Sequence, residues 1–247
     1  IDDLSSTSAI VGSFEPEPVA PEMLASAQLE QPRRHEIVFV DTDTPNYQLL
    51  VDDLLGNSTP ERQLEVIVLD NYSDGIAQVS EVLAQYRDLD AIHSISHGSD
   101  GAIDLGGSRL DFDTLLANAT AIQGWQDAFS ETGDLLIYGC NLAANDDGKA
   151  LVDSLASLTG AEVAASDDLT GHIALGGDWD LEFRTGNIET SVAIMAKSQE
   201  SWVATLATAS DDFSSGNYSG GTGWASDWVE TNDTNERVGV VDLGGGD

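Results

Sequence analysis

At 247 residues with a net charge of −35, the chain can form one large or two small domains, and its field repels nucleic acid and anionic membrane surfaces. No apolar run approaches the roughly eighteen residues of a membrane span, so membrane insertion is not expected. A lone cysteine, Cys140, excludes any intrachain disulfide and leaves packing, reactivity or metal binding as its roles.

The acidic, lysine-poor composition, rich in Gly, Ser, Thr and Asp, is associated with secreted bacterial surface proteins, which sets the expected location outside the cell or on its surface. No basic stretch followed by an apolar one opens the sequence. The start at Ile1 and the end at Gly244-Gly245-Gly246-Asp247 read as the edges of a piece of something longer.

Residues 1–35 carry four of the six prolines without apolar periodicity and read as a flexible tether. From residue 36 to about 190, strands alternate with helices. Ile37-Val38-Phe39-Val40 is the first strand, and Tyr47, Leu50, Val51, Leu54 and Leu55 mark one helical face, with Asp43 or Thr44 as its cap. Val66–Leu69 is the second strand; Ile76, Val79, Leu83 and Tyr86 mark the second helix.

A third strand, Ala91 onward, ends at His97. A glycine-rich insertion (Gly101 to Leu110) precedes a helix expected from Asp111 to about Phe129. The fourth strand, Leu135–Tyr138, leads to Cys140, and the next helix closes at Gly160. Glu162–Ala165 is a weak fifth strand, and residues 172–184 suggest a hairpin about Gly176-Gly177. Residues 191–208 read as a linker, and 209–247 as the truncated start of a β-sandwich. Continuous apolar strands between amphipathic helices predict an α/β domain, its mostly parallel sheet covered by helices on both faces.

The chemistry concentrates at two strand ends. Ile95-Ser96-His97-Gly98 and Tyr138-Gly139-Cys140-Asn141 each deliver a reactive side chain at the carboxyl edge, where ligands bind in such sheets. An imidazole beside a thiol can take its proton and return it to a leaving amine, so His97 and Cys140 form a candidate dyad. An activated Cys140 is expected to alkylate readily at mildly acidic pH.

Metal and nucleotide sites fare worse. His93 and His97, four apart on a strand, are separated by roughly 13 Å, too far for one zinc ion, and no metal ligand set is assigned. Asp41-Thr42-Asp43-Thr44-Pro45-Asn46 fails as a calcium loop at Pro45 and Asn46. Gly101, Gly106 and Gly107 lack the spacing of a nucleotide fingerprint.

The ordered His97-Gly98 and Cys140 pair resembles the caspase-like cysteine peptidases, the superfamily of caspase, gingipain, legumain and separase. More closely, residues 36–185 resemble a bacterial domain-of-unknown-function family (4347) found near the N-termini of giant adhesin-like surface proteins with cadherin-like or calcium-binding repeats. The carrying motifs are Ile37-Val38-Phe39-Val40-Asp41, Ser96-His97-Gly98-Ser99, Tyr138-Gly139-Cys140-Asn141, Asp168-Leu169-Thr170-Gly171 and Leu175-Gly176-Gly177-Asp178-Trp179-Asp180-Leu181-Glu182.

The resemblance implies a caspase-like α/β fold and a cysteine endopeptidase, with Cys140 as nucleophile, His97 as general acid/base, and the Gly98 and Cys140 amides as oxyanion hole. Its substrate would be a polypeptide, extending to the parent chain itself. Asp167 and Asp168 read first as solvated loop carboxylates; the other reading sets them near the cleft mouth, where they would select a basic side chain and make Arg33, Arg34 and Lys197 the cut sites to watch. The chemistry requires no cofactor, and the family context allows calcium as a structural ion. The alternative is an inactive module of an adhesin that binds or spaces.

Overall fold

The structure is a computed structural model that describes residues 33–207. The tether expected over 1–35 lies outside the described residues up to residue 32, and its Arg34 and His35 already belong to the first strand; the β-rich region expected from 209 lies outside them entirely.

Six strands form the main sheet. They are β1 (Arg34–Asp41), β2 (Arg62–Leu69), β3 (Leu89–Ile95), β7 (Phe129–Tyr138), β8 (Glu162–Ala165) and β9 (Phe183–Arg184), in the order β2-β1-β3-β7-β8-β9. All neighbours are parallel except β9, which runs antiparallel to β8. Helices cover both faces, which is why β1 is buried from Glu36 to Asp41 and reads as a continuous apolar run.

Strand alternation splits the core in two. Ile37, Phe39, Ile92, Leu135 and Ile137 face α2 (Gly75–Leu83), α3 (Phe112–Ala117), α4 (Ala119–Gln123) and α5 (Asp146–Thr159). Val38, Val40, Ile95, Leu136, Tyr138 and Cys140 face the other way, toward Leu50 and Leu54 of α1 (Tyr47–Gly56). Only these two residues of the expected α1 stripe are fully buried, and Leu55 points to solvent. Asn46, not Asp43 or Thr44, caps this helix, in a left-handed conformation that asparagine tolerates.

The expected helix from Asp111 to Phe129 is broken. Asn118 ends α3 and starts α4, its side-chain amide donating to the Thr114 carbonyl in competition with the backbone ladder. A 3-10 turn over Gly124–Ala128 follows, so that β7 already begins at Phe129. The glycine-rich insertion is a small antiparallel sheet of β4 (Gly98–Ser99), β5 (Ala102–Leu105) and β6 (Ser108–Leu110), turning at Gly101 and Gly106 with positive φ. The α5 helix closes at left-handed Gly160, as its sequence signals.

The hairpin expected at 172–184 does not form. A 3-10 turn over Ile173–Leu175 ends at Gly176, and Phe183–Arg184 pairs with β8 instead. Residues 191–207, expected as a linker, are part of the packed domain. Ala193, Ile194, Trp202 and Leu206 are all buried on the Cys140 face, and α6 (Ala196–Ser201) lies within this stretch. Trp202 packs tilted against Trp179 with ring centroids 5.6 Å apart, and Trp179 likewise against Tyr138 at 6.0 Å, each contact worth about 0.5–1.5 kcal/mol beyond burial.

One polar network crosses this core. The Arg62 guanidinium donates to the Glu36 carboxylate at 2.6 Å, and His93 Nε2 lies 2.9 Å from the same oxygen. Burial keeps His93 neutral, so Nε2–H donates to Glu36 and Nδ1 accepts from the Tyr138 hydroxyl at 3.2 Å. Tyr138 in turn accepts from the Ala193 amide, tying residues 191–207 to the sheet. His93 is thus a core histidine.

Candidate active site

Ile95 of β3 lies opposite Tyr138 of β7, and the Ser96 amide continues the pairing to the Tyr138 carbonyl at 3.2 Å. His97 and Cys140 therefore leave neighbouring parallel strands at the same carboxyl edge. The two backbones touch: a Cβ on Gly98 would lie 2.4 Å from the Gly139 carbonyl carbon and 2.7 Å from the Cys140 nitrogen. Only glycine permits that approach.

His97 is oriented by backbone. Its Nε2 lies 3.0 Å from the Asp43 carbonyl oxygen, in the turn after β1. A carbonyl can only accept, so in the neutral ring Nε2 carries the proton and Nδ1 keeps its lone pair. That Nδ1 is buried and has no hydrogen-bond partner among the described residues.

Cys140 is fully buried. Its Sγ lies 3.4 Å from the Thr170 carbonyl, to which it donates, and accepts from the Thr170 amide at 3.2 Å. Burial pushes the thiol up to about 11, against the pull of the Thr170, Leu206 and Cys140 amides. The thiol is protonated at neutral pH, and its hydrogen bonds go to Thr170, not to His97. The readily alkylated cysteine expected from sequence is not what the folded domain presents, because the loop after β8 and residues 204–207 cover it.

Gly98 also holds a partner across the cleft. Its amide donates to the Leu206 carbonyl at 2.8 Å. On its other side the Leu206 amide donates to the Thr170 carbonyl at 2.9 Å, and the His172 amide to the Ala204 carbonyl at 2.9 Å.

Asp167 and Asp168 stand exposed on the loop after β8. The loop meets the site through backbone, the Asn141 amide donating to the Asp168 carbonyl at 2.6 Å. The carboxylates of Asp167, Asp168 and Glu182 lie within 4.8 Å of one another, as do those of Asp178, Asp180 and Glu182. Such oxygens are the donors a hard cation takes. Burial, and then the charges of Asp178, Asp167 and Asp180, raise the Asp168 carboxyl above its ordinary value. Arg34 and Lys197 lie in β1 and α6, so neither sits in a free flank. An apolar cavity lined by Phe39, Ile92, Ile103 and Trp125 belongs to the sheet's other face, away from the dyad.

Three participants escaped sequence reading: the Asp43 carbonyl, Thr170 and Leu206. All three act through backbone atoms, which leave no side-chain signature.

Residues 37–206 match the family described as Domain of unknown function (DUF4347). The chain belongs to this family. No curated protein matches it. The DUF4347 domain begins inside β1 and ends at Leu206, so the match includes the packed residues 191–206 along with the sheet.

Proposed function

We propose that this DUF4347 domain is a cysteine endopeptidase of the caspase-like type, using a His97–Cys140 dyad on a polypeptide of the cell surface or its surroundings. The observation that carries the reading is the bond from His97 Nε2 to the Asp43 carbonyl. It leaves Nδ1 as the proton acceptor of a ring set beside the cysteine strand. The strand order agrees: the histidine follows the third strand of the main sheet and the cysteine the fourth.

The steps follow from these atoms. His97 Nδ1 takes the Cys140 proton as sulfur attacks the substrate carbonyl carbon. The oxyanion is stabilised by the Gly98 amide, with the Cys140 amide as second donor, each worth about 3–4 kcal/mol in the transition state. The imidazolium then protonates the leaving amine, and water hydrolyses the thioester.

A second reading, an inactive binding or spacing module, is favoured by the thiol itself, buried and pushed up to about 11. The two are separated by incubating a denatured protein substrate with the wild-type chain, Cys140→Ala and His97→Ala, and mapping fragment ends by mass spectrometry. New ends made by the wild type alone support the peptidase. Identical fragment maps from all three overturn it.

A further inference from the structure

Residues 204–207 lie across the mouth of the dyad as an extended segment held from both sides. Thr205 pairs antiparallel with Gly171, and Ala207 pairs in parallel with Gly98. The Leu206 peptide is fixed at both ends, its amide on the Thr170 carbonyl (2.9 Å) and its carbonyl on the Gly98 amide (2.8 Å). The second of these is the donor assigned above to the oxyanion hole. The Thr170 peptide that receives the Leu206 amide also holds the Cys140 sulfur, at 3.4 Å from its carbonyl and 3.2 Å from its amide, which sets the Leu206 peptide next to the nucleophile.

The geometry points to Leu206–Ala207 as the bond this domain cleaves in its own chain. The inference rests on the peptidase reading and names the substrate segment for that site. Strand addition of an extended peptide, with backbone bonds for affinity and a side-chain pocket for selection, is a general way of holding a peptide for recognition. Here the Leu206 side chain is fully buried on the Cys140 face, in a core that includes Trp179, Trp202 and Ala193. The residue before the cut is thus apolar and buried, whereas Asp167 and Asp168 are exposed.

The balance is that of acyl transfer. Cys140 sulfur bonds to the Leu206 carbonyl carbon while its proton passes to His97 Nδ1. The Leu206–Ala207 C–N bond breaks as that proton is delivered to the Ala207 nitrogen. One water then releases the thioester, leaving a Leu206 carboxylate and a free Cys140. Since the DUF4347 match ends at residue 206, the cut separates the domain from everything that follows.

The test incubates the full 26.1-kDa chain at neutral pH and reads intact mass and new N-termini. The expected products end at Leu206 and begin at Ala207; His97→Ala and Cys140→Ala stay whole, with folding checked by circular dichroism. Leu206→Ala, which removes most of the pocket filling, should slow the cut by about tenfold or more. Leu206→Met should cut at nearly the wild-type rate.

A separate arm treats Leu206→Asp, whose carboxylate is expelled from the apolar pocket, and Leu206→Ala with an Ala-Thr-Leu acyloxymethyl ketone. If Cys140 in either is labelled in a His97-dependent way while the wild type stays uncut, residues 204–207 merely cover a working site and self-cleavage is overturned. Cuts elsewhere with Leu206–Ala207 intact overturn it as well. Neither labelling nor cutting overturns this inference and the peptidase reading together.

Discussion

His97 Nε2 sits 3.0 Å from the carbonyl oxygen of Asp43, a bond from ring to backbone that joins the edge of β3 to the turn after β1. The tautomer it imposes leaves Nδ1 as the acceptor, as the proposed base role requires, and it depends on the path of the chain, not on the Asp43 carboxylate. The Asp43 side chain has a different partner, Asn71.

That separation is testable. His97→Ala should lower kcat/KM for peptide cleavage by about 10²–10⁴, the usual worth of general acid–base catalysis. Asp43→Ala should leave kcat within a few-fold of wild type, since the carbonyl remains. A loss in Asp43→Ala as deep as in His97→Ala would mean that the carboxylate, not the carbonyl, serves the histidine.

Acid should unfold the domain through Glu36. Burial alone would raise this carboxyl, but hydrogen bonds from His93 and Arg62, with the Arg62 charge, hold it at about 2 against an ordinary 4.5. A depressed carboxyl contributes stability that is complete above its unfolded pKa and is lost as pH falls from 4.5 toward 2, about 3 kcal/mol in all. His93 acts in the same direction at higher pH, because burial lowers its pKa and protonation below 6.5 favours the unfolded chain. Glu36→Gln should cost about 2–3 kcal/mol at pH 7 and flatten the dependence below pH 4.5. Urea midpoints at pH 7 and pH 4 measure both, and an equally steep acid loss in Glu36→Gln would assign it to other groups.

The alternating strands and helices, and the two strand ends carrying His97 and Cys140, were legible because apolar periodicity and continuous runs are local signals. What surrounds the dyad was not. Whether residues 191–207 link or pack depends on where Trp202 and Leu206 land, and their spacing resembles that of any short irregular stretch. The break at Asn118 was hidden because both halves of the expected helix keep an apolar stripe, Leu115 before it and Ile122 after it. The burial of Cys140 was hidden for a related reason. Sequence places the thiol at a strand end but cannot show that Thr170 and Leu206 close over it.

Gly98→Ala should damage the site without removing a functional group. The new Cβ would meet backbone atoms of Gly139 and Cys140 within 2.4–2.7 Å, and backbone cannot rotate away as a side chain does. The strands must part, costing about 1–3 kcal/mol of stability and shifting the amide that faces the Leu206 carbonyl. Thermal melts and cleavage assays on the same preparation check the pair of effects. A variant as stable and as active as wild type would show that this close approach does not matter.

Alkylation of Cys140 should report how firmly residues 202–207 are held. In the folded domain the buried, protonated thiol should react with iodoacetamide far more slowly at pH 7 than free cysteine, through local opening. Trp202 anchors the covering segment: it is 2% exposed and its Nε1–H donates to the Pro45 carbonyl at 2.8 Å. Trp202→Phe keeps an aromatic ring against Trp179 and loses that bond, a cost of about 1 kcal/mol. If opening limits the reaction, the alkylation rate should rise about fivefold while the global urea midpoint moves only slightly. Peptide mass mapping of carbamidomethylated Cys140 over time gives the rates. Wild-type Cys140 labelled as fast as free cysteine would show that the covering segment does not protect the thiol, and equal rates in the two proteins would free Trp202 of this role.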